Sequence, residues 1–387
     1  MFKNLFVKKE KKSYSNFSTK AYYKGTSKPV WTDRSYLQLA EEAYIKNVIA
    51  NRCISMIAKG ASCINFQIID KKTNEILDNH ELTKLLNRPN PLTSKIDFFE
   101  TIFSHKLIAG NVFIQGIFSN KNYKNPIELY ILRPDRVSVL TSDNIIPCGY
   151  KYKVDSYERI FSISPIDGKS EILHIKNFHP TNDWYGLSQI ESGAYAIDQH
   201  NEASRWNQSM LQNGAKPCGA LIVKNENNDG FLTEEQFDRL KNQFNEEFSG
   251  SQNAGKPLLL EGGLEWKEMS LTPKDMDFIN IKYNSAREIA LAFGVPPQLL
   301  GIPGDNTYNN FSEARLFLWE QTILPMVDCV LSNLNNWLYG MYEENIEITY
   351  DKNSIVQLAP RRAEFFNTIN NATFLTNEEK KKILNFV

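Results

Sequence analysis

The sequence predicts an α+β protein with two or three domains. Its 387 residues, of which 42% are hydrophobic, are enough for a core of ordinary size. Between residues 62 and 176 apolar side chains alternate in several short segments, which predicts strands. Between residues 273 and 338 they recur three and four positions apart, which predicts two helices separated by a loop rich in Gly, Pro and Asn. The two patterns in one chain give the α+β class.

Composition argues against several classes of protein. The 44 basic and 45 acidic side chains leave a formal net charge of -1, which does not suit a protein that holds DNA tightly by its phosphates. The five cysteines are scattered without a CxxC pair, which argues against a disulfide framework or a zinc site and favours a reducing cytoplasm. No apolar run reaches the roughly 18 to 20 residues that span a bilayer. We therefore expect no metal, no cofactor and no membrane partner.

The first half of the chain predicts a basic arm followed by helices and strands. Residues 1–35 begin with a cluster of lysines and carry no apolar signal segment, so we expect them to be disordered. Helical periodicity runs from residue 36 to 60, and a strand is expected at 62–70. A helix at 95–109 leads into a strand at 112–118, and four further strand segments extend to residue 176.

A helix and a small insert follow. Ser188 with Glu191 three residues later forms a capping box, which predicts a helix to about residue 212. Residues 214–272 then predict a separate small α/β unit with a strand, a helix and a hairpin. The hairpin turns at Gly262-Gly263, because a two-residue glycine turn between apolar runs is a strong hairpin signal.

Two helices surround a polar loop in the next stretch. The first spans residues 273–294 and is ended by Gly294 and the two prolines after it. Asn310 with Glu313 predicts the start of the second, and Pro325 should kink that helix without ending it. The apolar positions expected to be buried are Ile279, Tyr283, Ala286, Ile289, Ala290 and Phe293 in the first helix, and Trp319, Ile323, Val327, Val330, Leu334 and Trp337 in the second.

The last segment predicts a strand and a short helix. Ile346, Ile348 and Tyr350 alternate, so they predict a strand that returns to the first sheet. Thr376 with Glu379 forms another capping box and predicts a final helix. The chain therefore ends in little more than one helix beyond its last strand.

Several of these stretches resemble one known family. They are Ala286-Arg287-Glu288-Ile289-Ala290 with the glycine and prolines that follow, the loop and helix start at 304–314, the Arg-Pro-Asn-Pro of 88–91, and the Leu-Arg-Pro-Asp-Arg-Val of 132–137. Together, and in this order, they resemble the portal proteins of tailed bacteriophages of the HK97 type. The resemblance covers about residues 36–380.

The resemblance implies a portal fold with a mixed α/β wing, paired stem helices, a small α/β clip insert, a long kinked helix and a reduced crown. The implied segments are the arm (1–35), the N-terminal part of the wing (36–186), the first stem helix (187–213), the clip (214–272), the second stem helix (273–294), the channel loop (295–310), the long helix with its return strand (311–358) and the short crown-like region (359–387).

The resemblance also implies a function without catalysis. Portal proteins of this family form a dodecameric ring at one vertex of the capsid, through which double-stranded DNA is packaged and later ejected. The implied partners are further copies of the chain, the large terminase subunit, the major capsid protein and a head-tail connector or adaptor. The implied locations are the virion, in a phage, prophage or gene-transfer particle, and the host cytoplasm during assembly.

The loop between the two long helices is the candidate channel site. If the resemblance holds, it would place short polar groups and one carboxylate around passing DNA, which would grip the duplex only weakly. Glycines within the loop would let it move between two positions. The residues expected to line the channel are Gly304, Asp305, Asn306, Thr307, Tyr308, Asn309 and Asn310.

Two alternatives remain open at this point. Residues 250–256 match GxxxxGK, the phosphate-cradling loop of nucleotide hydrolases, from Gly250 to Lys256. The next residue, Pro257, lacks the hydroxyl that would bind magnesium, and a helix precedes the loop where a strand is required. The second alternative, a monomeric α+β binding module, leaves the polar loop and the paired helices without an explanation.

Overall fold

The computed structural model describes residues 35–119, 125–141, 146–212, 219–223, 264–268, 278–303, 308–342 and 345–383, together with residues 235, 238, 239 and 242. Its helices are α1 (Tyr36–Leu39), α2 (Val48–Ser62), α3 (Glu81–Asn87), α4 (Lys95–Ala109), α5 (Gln189–Ser192), α6 (Ala194–Gln212), α7 (Phe278–Ala292), α8 (Tyr308–Phe317), α9 (Leu324–Leu338), α10 (Ala359–Asn371) and α11 (Asn377–Ile383). Its strands are β1 (Phe66–Asp70), β2 (Asn111–Phe118), β3 (Pro126–Leu132), β4 (Val137–Thr141), β5 (Pro147–Val154), β6 (Tyr157–Ser162), β7 (Ile172–Lys176), β8 (Gly219–Val223), β9 (Leu264–Glu268) and β10 (Ile346–Tyr350).

The strands form four small antiparallel sheets. Two sheets have three strands each, in the orders β3-β2-β7 and β4-β5-β6, and two have only a pair. In one of the pairs β1 lies against β10, with Phe66 opposite Tyr350 and Ile68 opposite Ile348. The predicted return of residues 346–350 to the first strand is therefore confirmed.

One large apolar core joins the two halves of the chain. It brings together buried side chains of α2, α4, β2 and the long helix α9, among them Ile57, Phe99, Ile114 and Val330. A smaller cluster, which includes Phe113 of β2, fills the space between two of the sheets. Phe113, Leu132, Val137, Tyr150, Phe161 and Ile172 make up this second cluster.

The predicted single helix over residues 36–60 is wrong. Its first part, α1, continues as a wider helical turn over Ala40–Ile45, and the chain then becomes extended at Asn47. There the Asn47 side chain accepts hydrogen bonds from the backbone N–H groups of Ile49 and Ala50 and so begins a new helix, α2. The apolar periodicity continues across Asn47, so it does not reveal the break between the two helices.

The helix predicted from Ser188 begins as expected but is interrupted. Ser188 accepts a bond from Ile190 N, and α5 ends after one turn at Gly193, from which α6 continues to Gln212. Within α6 Ile197 is buried, whereas Met210, nearer its C-terminal end, is only half-buried. The buried side chains of α6 also include two polar ones, His200 and Asn201.

The insert at 214–272 is described only in part. Strand β9, on the C-terminal side of the predicted Gly-Gly turn, pairs with β8. Three parts of the insert lie outside the described residues: the first strand of the predicted hairpin (258–261), its Gly-Gly turn and the GxxxxGK loop at 250–256.

The long helix continues through its proline, as predicted. It runs as α8, a wider π-helical turn over Leu318–Ile323, and α9, in whose first turn Pro325 lies. Proline lacks an N–H and its ring crowds the carbonyl four residues earlier, so a widened turn just before it relieves both conflicts. The five predicted positions from Trp319 to Leu334 are buried, while Trp337 is half-buried and donates from Nε1 to Ser170 O at 3.0 Å.

A cluster of three polar side chains, Asn47, His200 and Asn201, connects the start of α2 to α6. Asn47 Nδ2 donates to Asn201 Oδ1 at 2.9 Å and lies 3.2 Å from His200 Nδ1, while Asn201 donates to Glu42 O. All three members of this cluster are buried. Each amide therefore satisfies polar groups that water cannot reach.

We expect Asn47→Ala to lower the free energy of unfolding by about 3 kcal/mol, because it removes a helix cap and leaves buried polar groups without partners. Urea denaturation of the purified protein measures this. Asn336→Ala, at an exposed position of α9, is the matched control and should cost less than about 1 kcal/mol. Equal effects of the two substitutions would contradict the role given to Asn47.

Burial keeps three histidines neutral near pH 7. It lowers the pKa of His105 and of His200 to about 4, and that of His174 to about 3. The His174 ring stacks on Phe113 with centroids 4.2 Å apart. Because the unfolded chain takes up a proton on each ring below about pH 6.5 and the folded chain does not, stability should fall as the pH drops from there.

For His174 the expected loss is about 2 kcal/mol between pH 6.5 and 5. His174→Gln removes this proton uptake, so the stability advantage of the wild type over the variant should shrink by that amount across the interval. Urea titrations at several pH values test it, and an advantage that stays constant with pH would show that His174 is not held neutral.

Candidate functional site

The predicted channel loop is described only at its two ends. Gly304, Asp305, Asn306 and Thr307 lie outside the described residues. Tyr308, Asn309 and Asn310 are not loop residues, because they form the first turn of α8. The predicted cap at Asn310 is therefore wrong: the helix starts at least two residues earlier, and the Asn-x-x-Glu pattern falls inside it.

The end of α7 forms a fixed turn before the loop. Gly294 adopts φ +66°, the left-handed conformation predicted for a helix-ending glycine. Thr322 of the widened turn donates from Oγ1 to Gly294 O at 2.6 Å, which ties this turn to the long helix. A short 3₁₀ helix, Pro297–Leu300, follows, and Ile302 is buried beyond it.

A second hydrogen bond holds the chain just before residue 304. Arg287, in the middle of α7, donates from a guanidinium nitrogen to Pro303 O at 3.1 Å. Pro303 is the last described residue before the loop, so the loop leaves from a point anchored on α7. In the sequence, Arg287 stands out only as part of residues 286–290, one of the stretches that carry the family resemblance. Nothing in the local sequence indicated that Arg287 would bind Pro303 O, 16 residues later.

The two helices predicted to pair do so, in antiparallel fashion. The rings of Trp206 in α6 and Phe278 in α7 stack at 5.8 Å, and at the opposite ends Gly193 approaches Ala292 so closely that an added Cβ would lie 3.1 Å from its methyl. Four of the six positions predicted to be buried are buried: Ala286, Ile289 and Ala290 in α7, and Phe293 directly after it. Tyr283 is half-buried, and Ile279 is 67% exposed. Ile279 lies in the first turn of α7, next to residues outside the described part.

A groove lies directly beside the loop. Its volume is about 720 Å³, and it lies between the turn at Pro296 and Pro297, α8 and the widened turn that follows α8. Most of its lining is apolar, and Arg361 from α10 also lines it. Arg361 there forms an ion pair with Glu320 at 3.3 Å.

The His, Cys, Asp and Glu side chains of the described residues do not gather into a metal site. No group of three or more His, Cys, Asp or Glu side chains among them could hold a metal ion. Asp135, between two arginines, forms a bidentate ion pair with Arg133 at 2.6 Å, and the hydrogen bonds from Arg133 lower the pKa of its carboxyl. This carboxylate is thus held in a local ion pair within a turn. Over the same residues, no helix has the length and apolar character to cross a membrane.

Comparison with known proteins shows the family to which this chain belongs. A family model described as "Phage portal protein" matches residues 49–385. The chain belongs to the phage portal protein family. A solved structure of the neck of a native gene transfer agent (GTA) particle, computed with C12 symmetry, contains a chain that is 37% identical, with a TM-score of 0.68 over 93% of this chain and 96% of that one.

Two curated relatives are similar to the chain, and one of them is described as a portal protein. The portal protein of Enterobacteria phage HK97 is 24% identical over 74% of this chain and 66% of its own length. A protein of Rickettsia bellii (strain RML369-C), described as "Uncharacterized protein", is 47% identical over 89% of this chain and 88% of its own. The predicted portal fold and function are thus confirmed, and the nucleotide-hydrolase alternative at Gly250–Lys256 finds no support.

We expect Gly294→Ala to destabilise this portal protein by about 2 to 3 kcal/mol. The added Cβ would lie 2.8 Å from Thr322 Oγ1, and the left-handed backbone is strained for alanine. Gly301→Ala is the matched control, because Gly301 has φ +71° but no atom within 4 Å of an added Cβ. It should cost only about 1 kcal/mol. Thermal denaturation compares the two, and equal losses would show that the Thr322 contact does not constrain the turn.

Proposed function

We propose that this portal protein forms a closed ring of twelve copies at one vertex of a capsid, with DNA passing through the centre. The observation that carries the proposal is the likeness, over nearly the whole length of both chains, to a chain in a particle neck with C12 symmetry. That particle is a gene transfer agent, so a gene-transfer or prophage particle is the context we favour for this chain. Assembly would take place in the host cytoplasm.

Within the ring we assign the segments as the family resemblance implies. Residues 36–186 form the wing, and residues 187–213 and 273–294 form the stem. Residues 214–272 form the clip, on which the large terminase subunit docks during packaging and a head-tail connector docks afterwards. Contacts with the major capsid protein surround the ring. Residues 359–387, in which the structure has α10 as well as the predicted final helix α11, form the crown-like region.

The channel loop would then act on DNA by position and charge alone. The chain that leads into it is held by Thr322 on Gly294 and by Arg287 on Pro303, and α8 begins at Tyr308, so four residues lie between these supports. Those residues are Gly304, Asp305, Asn306 and Thr307, which offer amides, a hydroxyl and one carboxylate. Without cations they create no deep electrostatic well along the phosphates, and DNA can slide past them. The energy for packaging comes from the separate terminase.

A double substitution tests this passive grip. Asp305→Lys with Asn306→Lys puts two cations per copy where one anion stood, so phosphates should be held and packaging should stall. We expect nuclease-protected DNA per particle to fall at least ten-fold in cells that produce the particles, with the ring still present in the particles.

Ser332→Lys with Asn336→Lys adds two lysines at exposed positions of α9 and serves as the matched control, with little expected change. Normal length and amount of packaged DNA in the loop variant would contradict the role given to the loop.

A further inference from the structure

Two large apolar side chains are exposed in the groove beside the channel loop. Leu291 and Phe317, which are 80% and 53% exposed, both line it, and so do the buried residues Val295 and Ala314. Single exposed apolar residues are common on protein surfaces, but a concave apolar patch marks a contact site. These four residues come from α7, the turn after it and α8, so the patch is a product of the fold and not of one amphipathic helix.

Charged groups surround this apolar patch. Glu313 is exposed on the α8 side, and Glu320 forms its ion pair with Arg361. Arg361 also contacts Glu364 at 3.3 Å. An apolar centre with a charged rim is the anatomy of a protein–protein contact.

We propose that this groove is a contact surface for the adjacent copy of the chain, which inserts apolar side chains between Leu291 and Phe317. The inference rests on the ring proposed above, in which every copy has a neighbour on each side. Contacts in such a ring are heterologous, so the groove of one copy meets a different surface of the next. The C12 neck that contains a chain 37% identical to this one supplies the neighbour.

This contact would complete the channel site. The walls of the groove are the two segments that flank the loop: Pro296, Pro297 and Gln298 before it, and Asn310 and Glu313 after it. A neighbour's side chain wedged between them fixes the separation of the loop's two ends. The position of each loop then depends on the adjacent copy, which couples the loops around the ring.

The first test compares Leu291→Asp with Leu92→Asp, a control at a position that is 84% exposed. We expect Leu291→Asp to need at least ten-fold more protein to form rings, scored by electron microscopy and mass in solution. Leu92→Asp should assemble like the wild type. Both should melt at the wild-type temperature when dissociated, because neither leucine is buried within the chain. Ring formation by Leu291→Asp at wild-type concentration would overturn the proposal.

The second test does not depend on the folding of that variant. A photo-reactive benzoylphenylalanine replaces Phe317, and the assembled protein is irradiated. We expect covalent links between copies, mapped by mass spectrometry. Links only within a copy, or to a small molecule, in a protein that forms rings would overturn the groove proposal while the ring stands. A wild-type protein that forms no ring even in assembled particles would instead overturn the proposed function.

Discussion

The close contact between α2 and the long helix is the constraint on which the rest of the structure depends. Gly60 of α2 lies so near the widened turn that an added Cβ would be 2.9 Å from Ile323 Cδ1 and 3.7 Å from the Trp319 ring. Val327 and Val330, one and two turns further on, are fully buried in the same core. These contacts fix the point at which the long helix leaves the core. That point places Thr322 against Gly294 and so determines where the channel loop begins.

Local patterns predicted most elements but not their breaks. The capping box of Thr376 and Glu379 is present in full, since each residue's backbone N–H is bound by the other's side chain. At Asn47 the apolar period continued across a break, because one capping side chain outweighed it. At Asn310 the capping pattern occurred by chance inside a helix that starts earlier. Propensity rules see only neighbouring residues, so they cannot choose between two possible starts.

Contacts between distant segments were beyond the reach of such patterns. The bonds of Thr322 to Gly294 and of Arg287 to Pro303 join positions that nothing in their local sequence connects. The groove beside the loop likewise depends on three elements meeting. The family resemblance, in contrast, rested on several short motifs in a fixed order, and it predicted the portal fold that the family match and the solved relatives confirm.

Cryo-electron microscopy of assembled particles that contain this chain tests the central claim most directly. The account predicts twelve copies in a ring at one vertex, with residues 304–307 of every copy nearest the central axis and the groove at Leu291 and Phe317 covered by the next copy. A compact closed dimer, or a ring whose residues 304–307 face away from the axis, would contradict it.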